Sequence, residues 1–403
     1  MNKQKKILLL GGSAQQLVAI NAAKDMGYYT IVCDYLSDNP GQYIADKYYN
    51  VSTTDVEAVY NVALNERVDG ILAYASDPAA LPAAIVADRL GLPTNPPDSV
   101  AILGVKHKFR KFLSDNGFPC PKVCTFHPND DIDRIKESIK DFSFPIVVKP
   151  TDSSGSKGVT MLSDLQDLNT AIEWANSYSR NKILIIEEFI VRGFPYVIGG
   201  DIFVSDGKIV MLGAMSCLRD NAGNGLIPIG KKTPSGLNQM QIDNIRETLQ
   251  QVITTLSIKS GEMNIEILLD KDDKVFILEL GPRAGGNMIP IQLSDAFAVD
   301  LVKANVAVAM GETMTLDLDE QPGCFMHYVL HSYTEGLFAS VEYDKDIEPY
   351  IYRKVIYKKP GDPVEYFDGA GKALGIIFMH FDTVEQMENF CQHKDDMIHI
   401  VLQ

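Results

Sequence analysis

The sequence predicts a multidomain protein, α/β at its start and α+β after it. Three observations carry this reading. At 403 residues the chain is too long for one small core, so about two to four domains or subdomains are expected. Residues 1–95 alternate apolar strands with amphipathic helices, the pattern of βαβ units on a parallel sheet. From about residue 120 the strands are joined by tight turns and followed by helices, the pattern of a mostly antiparallel α+β unit.

The elements follow in order. KKILLLGG, YYTIVCDY and GILAYA read as strands. QQLVAINAAKDMG, DVEAVYNVALNE and DPAALPAAIVADRLG between and after them read as helices, the first ended by Gly27. PTNPP (93–97) reads as a rigid linker, and VAILGVKHKFRKFLSDNG as one basic helix closed by Gly117 and Pro119. PKVCTF, PIVVKP, GVTMLS and KILIIEEF are strands, with helices near 130–141 and 165–178. YVIGGDIFV and KIVMLGAMSCL form a hairpin across Asp206-Gly207. Helices at about 237–257 and 292–310 flank MNIEILLDKDDKVFILEL. CFMHYVLHSY, VIYKKPGDPV and ALGIIFMHF, with a last helix near 383–393, read as a separate β-rich cap. The division is 1–95, 96–190, 191–318 and 319–403.

Composition excludes some functions. The apolar fraction of 46% and charged fraction of 22% are those of a soluble globular protein. A net charge of −16 argues against a general nucleic-acid binder and against an anionic-membrane binder, which need a basic face. A small anion needs only a local basic pocket. The six cysteines are scattered without CxxC. The apolar run near Met1 is shorter than the roughly 7–15 residues of a signal peptide. No stretch approaches about 18 apolar residues, so no transmembrane helix is expected. The reading is a cytoplasmic protein with reduced thiols. Cys324, His327 and His331 do not read as a metal site, because strand residues four apart lie about 13 Å from one another.

Four segments carry chemistry. In the hairpin, centring the turn on Asp272-Asp273 sets Lys271 against Lys274, Asp270 against Val275 and Glu266 against Glu279. Opposed residues on one face have Cβ atoms about 4.5–5.5 Å apart. Two carboxylates that close demand either a shared proton or a cation. Mg²⁺ is usually held by one or two carboxylates plus substrate phosphates. The alternative is a solvent-facing pair of strand glutamates. GGSAQQ (11–16) opens a helix, where amide N–H groups favour an anion, and Asp34 ends the second strand. The pattern lacks the third glycine of a dinucleotide site, so a substrate loop or a plain tight turn is the better reading. In KPTDSSGSKGV, Ser153, Ser154, Gly155, Ser156, Lys157 and Gly158 form a small-residue loop suited to covering phosphates. Lys149 ends an apolar strand before it, and a buried lysine demands an anion. IIEEFIVRGF (185–194) leaves a core with two carboxylates at its end, where an adenine ring could find an acceptor, a backbone donor and apolar walls.

Taken in order, these segments resemble the ATP-grasp ligases over at least residues 1–312. The resemblance rests on the GGxxQ-type first loop, on Lys106 spaced to Gly117 and Pro119, on PIVVKP, the Ser/Gly loop and IIEEFI. It rests also on the two glutamates and ELGPRAGG. Similar members are carbamoyl phosphate synthetase-like and aminoimidazole ribonucleotide carboxylase ATPase-like proteins, and amino acid ligases with a C-terminal extension. The resemblance implies an ATP-grasp fold with an N-terminal parallel-sheet (pre-ATP-grasp) domain and a β-rich C-terminal subdomain. It implies ATP and Mg²⁺ (or Mn²⁺) as cofactors. Lys106 and Lys149 correspond to lysines on the ATP phosphates, Ser153–Gly158 to the phosphate lid, and Glu187, Glu188, Phe189 and Ile190 to the adenine hinge. Glu266 and Glu279 correspond to the metal ligands and Arg283 to the arginine facing an acyl phosphate. Asn287, Arg219 and Lys231 fall at the substrate end. Gly281 stands where many members have a third, asparagine ligand. GFPY replaces an acidic ribose residue, for which Asp201 is the substitute. The activity implied is ADP-forming carboxylate–amine ligation of small molecules through an acyl phosphate. The alternatives are a bicarbonate-using carboxylase, a non-catalytic ATP-binding relative and, on the first domain alone, an NAD-dependent oxidoreductase. Residues after about 320 complete the pocket or make a homodimer.

Overall fold

The strand KILLL of the first unit is apolar and buried without a break from Ile7 to Leu10, because helices cover both faces of its sheet. Ile7 and Leu9 join one apolar cluster, Leu8 and Leu10 another. The structure, a computed structural model, describes residues 4–153, 157–220, 227–319 and 323–403. Its first sheet holds β1 (Lys6–Leu10), β2 (Tyr29–Asp34), β3 (Lys47–Asn50) and β4 (Gly70–Leu72), all parallel, in the order β3-β2-β1-β4. The sequence reading missed β3. Helices α1 (Leu17–Asp25), α2 (Val56–Glu66) and α3 (Asp77–Arg89) complete the unit.

The single basic helix read from the sequence is two, α4 (Pro97–Leu103) and α5 (Lys106–Asp115). Val105 between them is extended, and the Lys106 amide donates to Thr151 O at 3.0 Å. The break puts Lys106 in the first turn of a new helix. The PTNPP stretch is no free linker: Asn95 bonds Lys259 N and Ser260 O.

A second sheet holds β5 (Val123–Phe126), β6 (Ile146–Pro150), β7 (Thr160–Leu162) and β8 (Leu184–Glu188) in the order β5-β8-β6-β7. One face buries Ile146, Val148, Leu184 and Ile186 under α6 (Ile132–Ser138) and α7 (Leu168–Tyr178). Alternation leaves Val147, Lys149, Ile185 and Glu187 on the other face.

The third sheet is large and antiparallel. β9 (Val197–Ser205), β10 (Lys208–Arg219) and β11 (Pro228–Thr233) precede α8 (Gln239–Thr255). The glutamate hairpin β12 (Gly261–Leu269) and β13 (Val275–Gly281) leads to α9 (Ile289–Phe297) and α10 (Leu301–Ala309). One helix was expected over 292–310; Ala298, left-handed at φ 52°, ends the first and Asp300 caps the second. Then come β14 (Cys324–Leu330), β15 (Gly336–Tyr343), β16 (Ile351–Ile356), β17 (Pro363–Val364), β18 (Gly375–Phe381), α11 (Val384–Met397) and β19 (Ile398–Leu402). The order β13-β12-β9-β10-β11-β14-β18-β16 corrects the expected separate cap, since β14, β18 and β16 continue the same sheet. β17, β15 and β19 form a small sheet of their own. α8 covers one face of the large sheet through Ile245, Leu249 and Val252, and α9 and α10 cover the other through Leu293 and Leu301. Among the described residues no helix is long and apolar enough to cross a membrane.

Candidate functional site

Glu266 and Glu279 face each other across β12 and β13. The register near the turn is not the one counted from the sequence. Val275 pairs with Leu269, not Asp270, and the Asp270 amide donates to Lys274 O. A bulge that skips Leu278 restores the count, so the glutamates meet although the turn is one residue out of place. Instead of sharing a proton, each carboxylate meets a base: Lys106 Nζ lies 3.5 Å from Glu279 and an Arg219 guanidinium nitrogen 3.6 Å from Glu266. Burial would raise the Glu266 carboxyl, but Arg219, Lys231, Lys106 and Arg283 together hold it below its usual range. Lys231 gets there across Gly199, where a Cβ would sit 2.5 Å from its Nζ. Among the described residues no cluster of three or more His, Cys, Asp or Glu is placed for a metal. His327 is buried against Gln292, and burial drives its imidazole down to about 3. The glutamate pair supplies two oxygen donors on neighbouring strands, which suits Mg²⁺ sharing its shell with phosphates and water.

Lys149 finds its anion inside the protein. It pairs with Glu187, whose other oxygen accepts from Arg110 Nε at 2.7 Å. Burial opposes the Glu187 charge, yet Arg110 and Lys149 pull the carboxyl down to about 2. Burial shifts Lys149 the other way, below the usual ammonium range. Arg110 also donates to the carbonyls of Ile277 and Leu278 (3.4 and 2.9 Å). Those carbonyls belong to edge strand β13 at its bulge, so one guanidinium joins α5, β8 and the glutamate hairpin. Glu188 points away and accepts from Ser143 N and Lys122. Phe189 N is taken by Pro145 O. Ile190 packs with Leu268, Phe276 and Leu278, an apolar wall on the Glu266 face.

Arg283 is bidentate to Asp77 at the start of α3, at 2.6 and 2.7 Å. The pair lies beside Gly281, where a Cβ would meet Arg283 and Asp77 at 3.6 and 3.7 Å. Asp201 is not available to a ribose. It is fully buried, and its oxygens accept from Asn264 Nδ2 and Gly285 N, each at 2.8 Å. Asn287 is left-handed, and its amide donates to Gln15 Oε1 at 3.0 Å, tying the first loop to the ELGPRAGGN turn. The first loop itself is a tight turn: Asp34 accepts from Gly12 N, and Asn39 occupies the space a Cβ on Gly12 would take. With Leu36 N on its other oxygen, Asp34 spends both oxygens inside the loop, which counts against a ribose contact there.

A cleft of about 560 Å³ opens between α3, α5, the lid segment and β13, within the usual size of small-molecule sites. Of the predicted residues it is lined by Lys106, Ser153, Lys157 and Glu279. Lys106 Nζ also donates to Ser153 O at 2.7 Å. Ser154, Gly155 and Ser156 lie outside the described residues, and Gly158 follows at φ 74°. Lys149, Glu187, Glu266, Arg283 and Asn287 do not line this cleft. Sequence reasoning missed Asp77, Arg110 and Arg180, all drawn in by contacts from distant parts of the chain.

Residues 142–291 match the ATP-grasp domain family. The carbamoyl phosphate synthase large chain of Methanothrix thermoacetophila is 26% identical over 350 residues, which cover 79% of this chain and 31% of that one. The chain thus spans about a third of that relative's length. The L-amino acid ligase of Bacillus licheniformis superposes over 100% of both chains with a TM-score of 0.81 at 19% identity. An N5-carboxyaminoimidazole synthetase from Staphylococcus aureus, solved with ADP, covers 98% of both chains with a TM-score of 0.75 at 16% identity. With an ATP-grasp domain matched over residues 142–291 and a fold shared along the whole chain, this protein is similar to the ATP-grasp ligases.

Proposed function

We propose that the chain is an ATP-dependent, ADP-forming ligase that joins a small carboxylic acid to an amine through an acyl phosphate. The opposed Glu266–Glu279 pair, of which Glu279 lines the cleft, carries this reading, since each carboxylate is matched to a basic side chain at 3.5–3.6 Å rather than sealed in a closed network. A solved structure of the same fold that holds ADP supports a nucleotide as the ligand.

Glu266 and Glu279 would hold Mg²⁺ (or Mn²⁺), which when bound would supply neutralising charge to phosphate oxygens. Lys106 turns from Glu279 to the phosphates. Lys149, braced by Glu187, adds a second positive charge, and Ser153 and Lys157 line the cleft beside the triphosphate. Ile190 and Leu278 wall the adenine, with backbone groups of 187–190 along its edge. The acid's carboxylate oxygen bonds to the γ-phosphorus as the β,γ-bridge breaks and ADP leaves. The amine nitrogen then bonds to the acyl carbon as the carbon–oxygen bond to phosphate breaks, and the proton the nitrogen loses leaves with phosphate or to water. Catalysis is positioning and charge neutralisation, and the lid keeps water from the acyl phosphate.

The test is ADP release against a matrix of small acids crossed with amines, with and without bicarbonate, with products identified by mass. The expected result is Mg²⁺-dependent ADP formation in one acid–amine combination, with a product equal to their condensate. ADP release that follows bicarbonate alone would assign the carboxylase reading instead. No Mg²⁺-dependent ADP in any combination would overturn both.

A further inference from the structure

Helix α3 carries more apolar surface than its packing uses. Ala79, Ala83, Val86 and Ala87 pack on the first sheet, and Ala80 and Ala84 pack on Val100 of α4. A third face remains. Pro78, Leu81, Pro82 and Ile85 follow one another at helical spacing, so they share one side of α3. All four line the cleft of about 560 Å³. Among the described residues Ile85 joins neither of the two apolar clusters just named. One turn further on the same side becomes polar, and Arg89 bonds Glu57. A helix face left to water is normally polar, so an apolar stripe confined to the cleft wall points to a ligand that covers it. Val56 of α2, Ala101 of α4 and Tyr178 at the end of α7 line the same cleft.

The charged groups gather where the stripe begins. Asp77 opens α3 and feels the charges of Lys106 and Arg180. Lys106 donates to Ser153 O, and Ser153 Oγ donates to Lys157 O. Each carboxylate there is already answered: Asp77 by Arg283, Glu279 by Lys106 and Asp152 by Arg180. Lys157 lines the cleft too, and among the described residues no carboxylate pairs with it. That end takes an anion rather than a cation.

We propose that the acid taken by this cleft is a monocarboxylic acid with an unbranched apolar chain of about eight carbons. Its carboxylate lies at the Lys106 end, and its chain runs along Leu81, Pro82 and Ile85. The role of that acid as substrate rests on the ligase reading above. From Pro78 to Ile85 the helix rises about 10 Å, and an extended chain advances about 1.2 Å per bond, which sets the length. A sugar phosphate or a dicarboxylic acid would press polar groups against the stripe without partners. Ile85 is thus a specificity-determining residue at the far end of the chain.

Straight-chain carboxylates of four to ten carbons are titrated into the full chain by calorimetry without nucleotide, then offered with amines in the ADP-release assay. The expected result is an affinity that rises about threefold to fourfold per added CH₂ up to about eight carbons and then levels. Octanedioate and octylammonium, equal in length, should bind at least about tenfold more weakly than octanoate. Ile85→Asp should weaken octanoate about tenfold or more and leave butanoate, which ends short of Ile85, unchanged. Ile85→Phe shortens the stripe and should move the optimum to shorter acids, a shift that misfolding cannot produce. A flat chain-length profile, equal binding of octanedioate or octylammonium, or an optimum unmoved in Ile85→Phe overturns the proposal. So does an Ile85→Asp variant that slows turnover of every acid alike, the mark of a stripe that only meets the lid. Graded octanoate binding without ADP from any acid–amine combination fails the ligase reading and keeps the site. ADP formed from short or polar acids, with flat binding, fails the site and keeps the ligase.

Discussion

Two acidic centres lie on two sheets that Arg110 joins, and the protein treats them differently. Glu187 is 4% exposed, and its two oxygens each meet a cation, Arg110 and Lys149, with Arg110 reaching on to two carbonyls of β13. Glu266 and Glu279 keep side-chain exposures of 29% and 26% and hold their bases at 3.6 and 3.5 Å. A closed, dry network fixes geometry. An open pair keeps lone pairs for something that arrives from solution. Charge alone does not mark a ligand site; incomplete satisfaction does.

The contrast breaks most visibly at Glu187. Glu187→Ala leaves Lys149 and Arg110 as buried cations facing one another, and losing one partner of such a network costs about 3–5 kcal/mol. Denaturant unfolding measures it; a loss below about 1 kcal/mol would show that the network is not as closed as its distances imply. Its pH dependence has a definite sign. The folded carboxyl, at about 2, lies below its ordinary 4.5, so the unfolded chain binds its proton first. The stability it gives is complete above about pH 5 and drains away as pH falls from 4.5 toward 2, on the order of 3 kcal/mol in all. Wild type should therefore lose more stability between pH 6 and pH 3 than Glu187→Gln does.

Glu279→Gln probes the open centre. Removing one of two opposed carboxylates relieves repulsion, so folding stability should stay within about 0.5 kcal/mol of wild type. ADP formation should fall by about 10²–10³, the usual cost of a lost electrostatic group at a transition state. A variant that releases ADP at the wild-type rate, or one that unfolds, would erase the difference between the two centres.

How much of this was legible in the sequence depends on the range of the contact. The unbroken apolar run of Ile7 to Leu10 and the strand–helix succession gave the parallel sheet, because burial on both faces is a local pattern. The Glu266–Glu279 pairing emerged from a turn count that is off by one and a Leu278 bulge that compensates; nothing in KVFILEL announces the bulge. Gly104 marked the break between α4 and α5, and it was passed over. Asp201 stands in GGDIFV with no local sign that Asn264 and Gly285 take its oxygens. Arg110–Glu187 and Arg283–Asp77 span 77 and 206 residues, and a single sequence carries no trace of such pairs. Of the C-terminal strands, β14, β16 and β18 are legible and β15 and β19 are not, and which sheet edge they join is set by β11 pairing with β14, a tertiary choice.

The smallest effect sharpens the comparison from a third position. Arg283 and Asp77 form a pair that is closed in geometry but placed like the open one, with Asp77 lining the cleft beside Glu279. Bidentate arginine–carboxylate bonds leave the guanidinium little freedom to take a second anion. Asp77→Asn loses the charge while keeping the shape, and should cost about 1–2 kcal/mol of stability. Kinetics then separate two roles. If an incoming acid must displace Asp77 from Arg283, the variant lowers the KM for that acid while kcat changes little. If the pair instead holds α3 against the glutamate hairpin throughout turnover, KM for the acid does not improve and kcat falls with the loosened geometry. A lower KM moves Arg283 into the open class with the glutamates; a fall in kcat alone moves it beside Glu187.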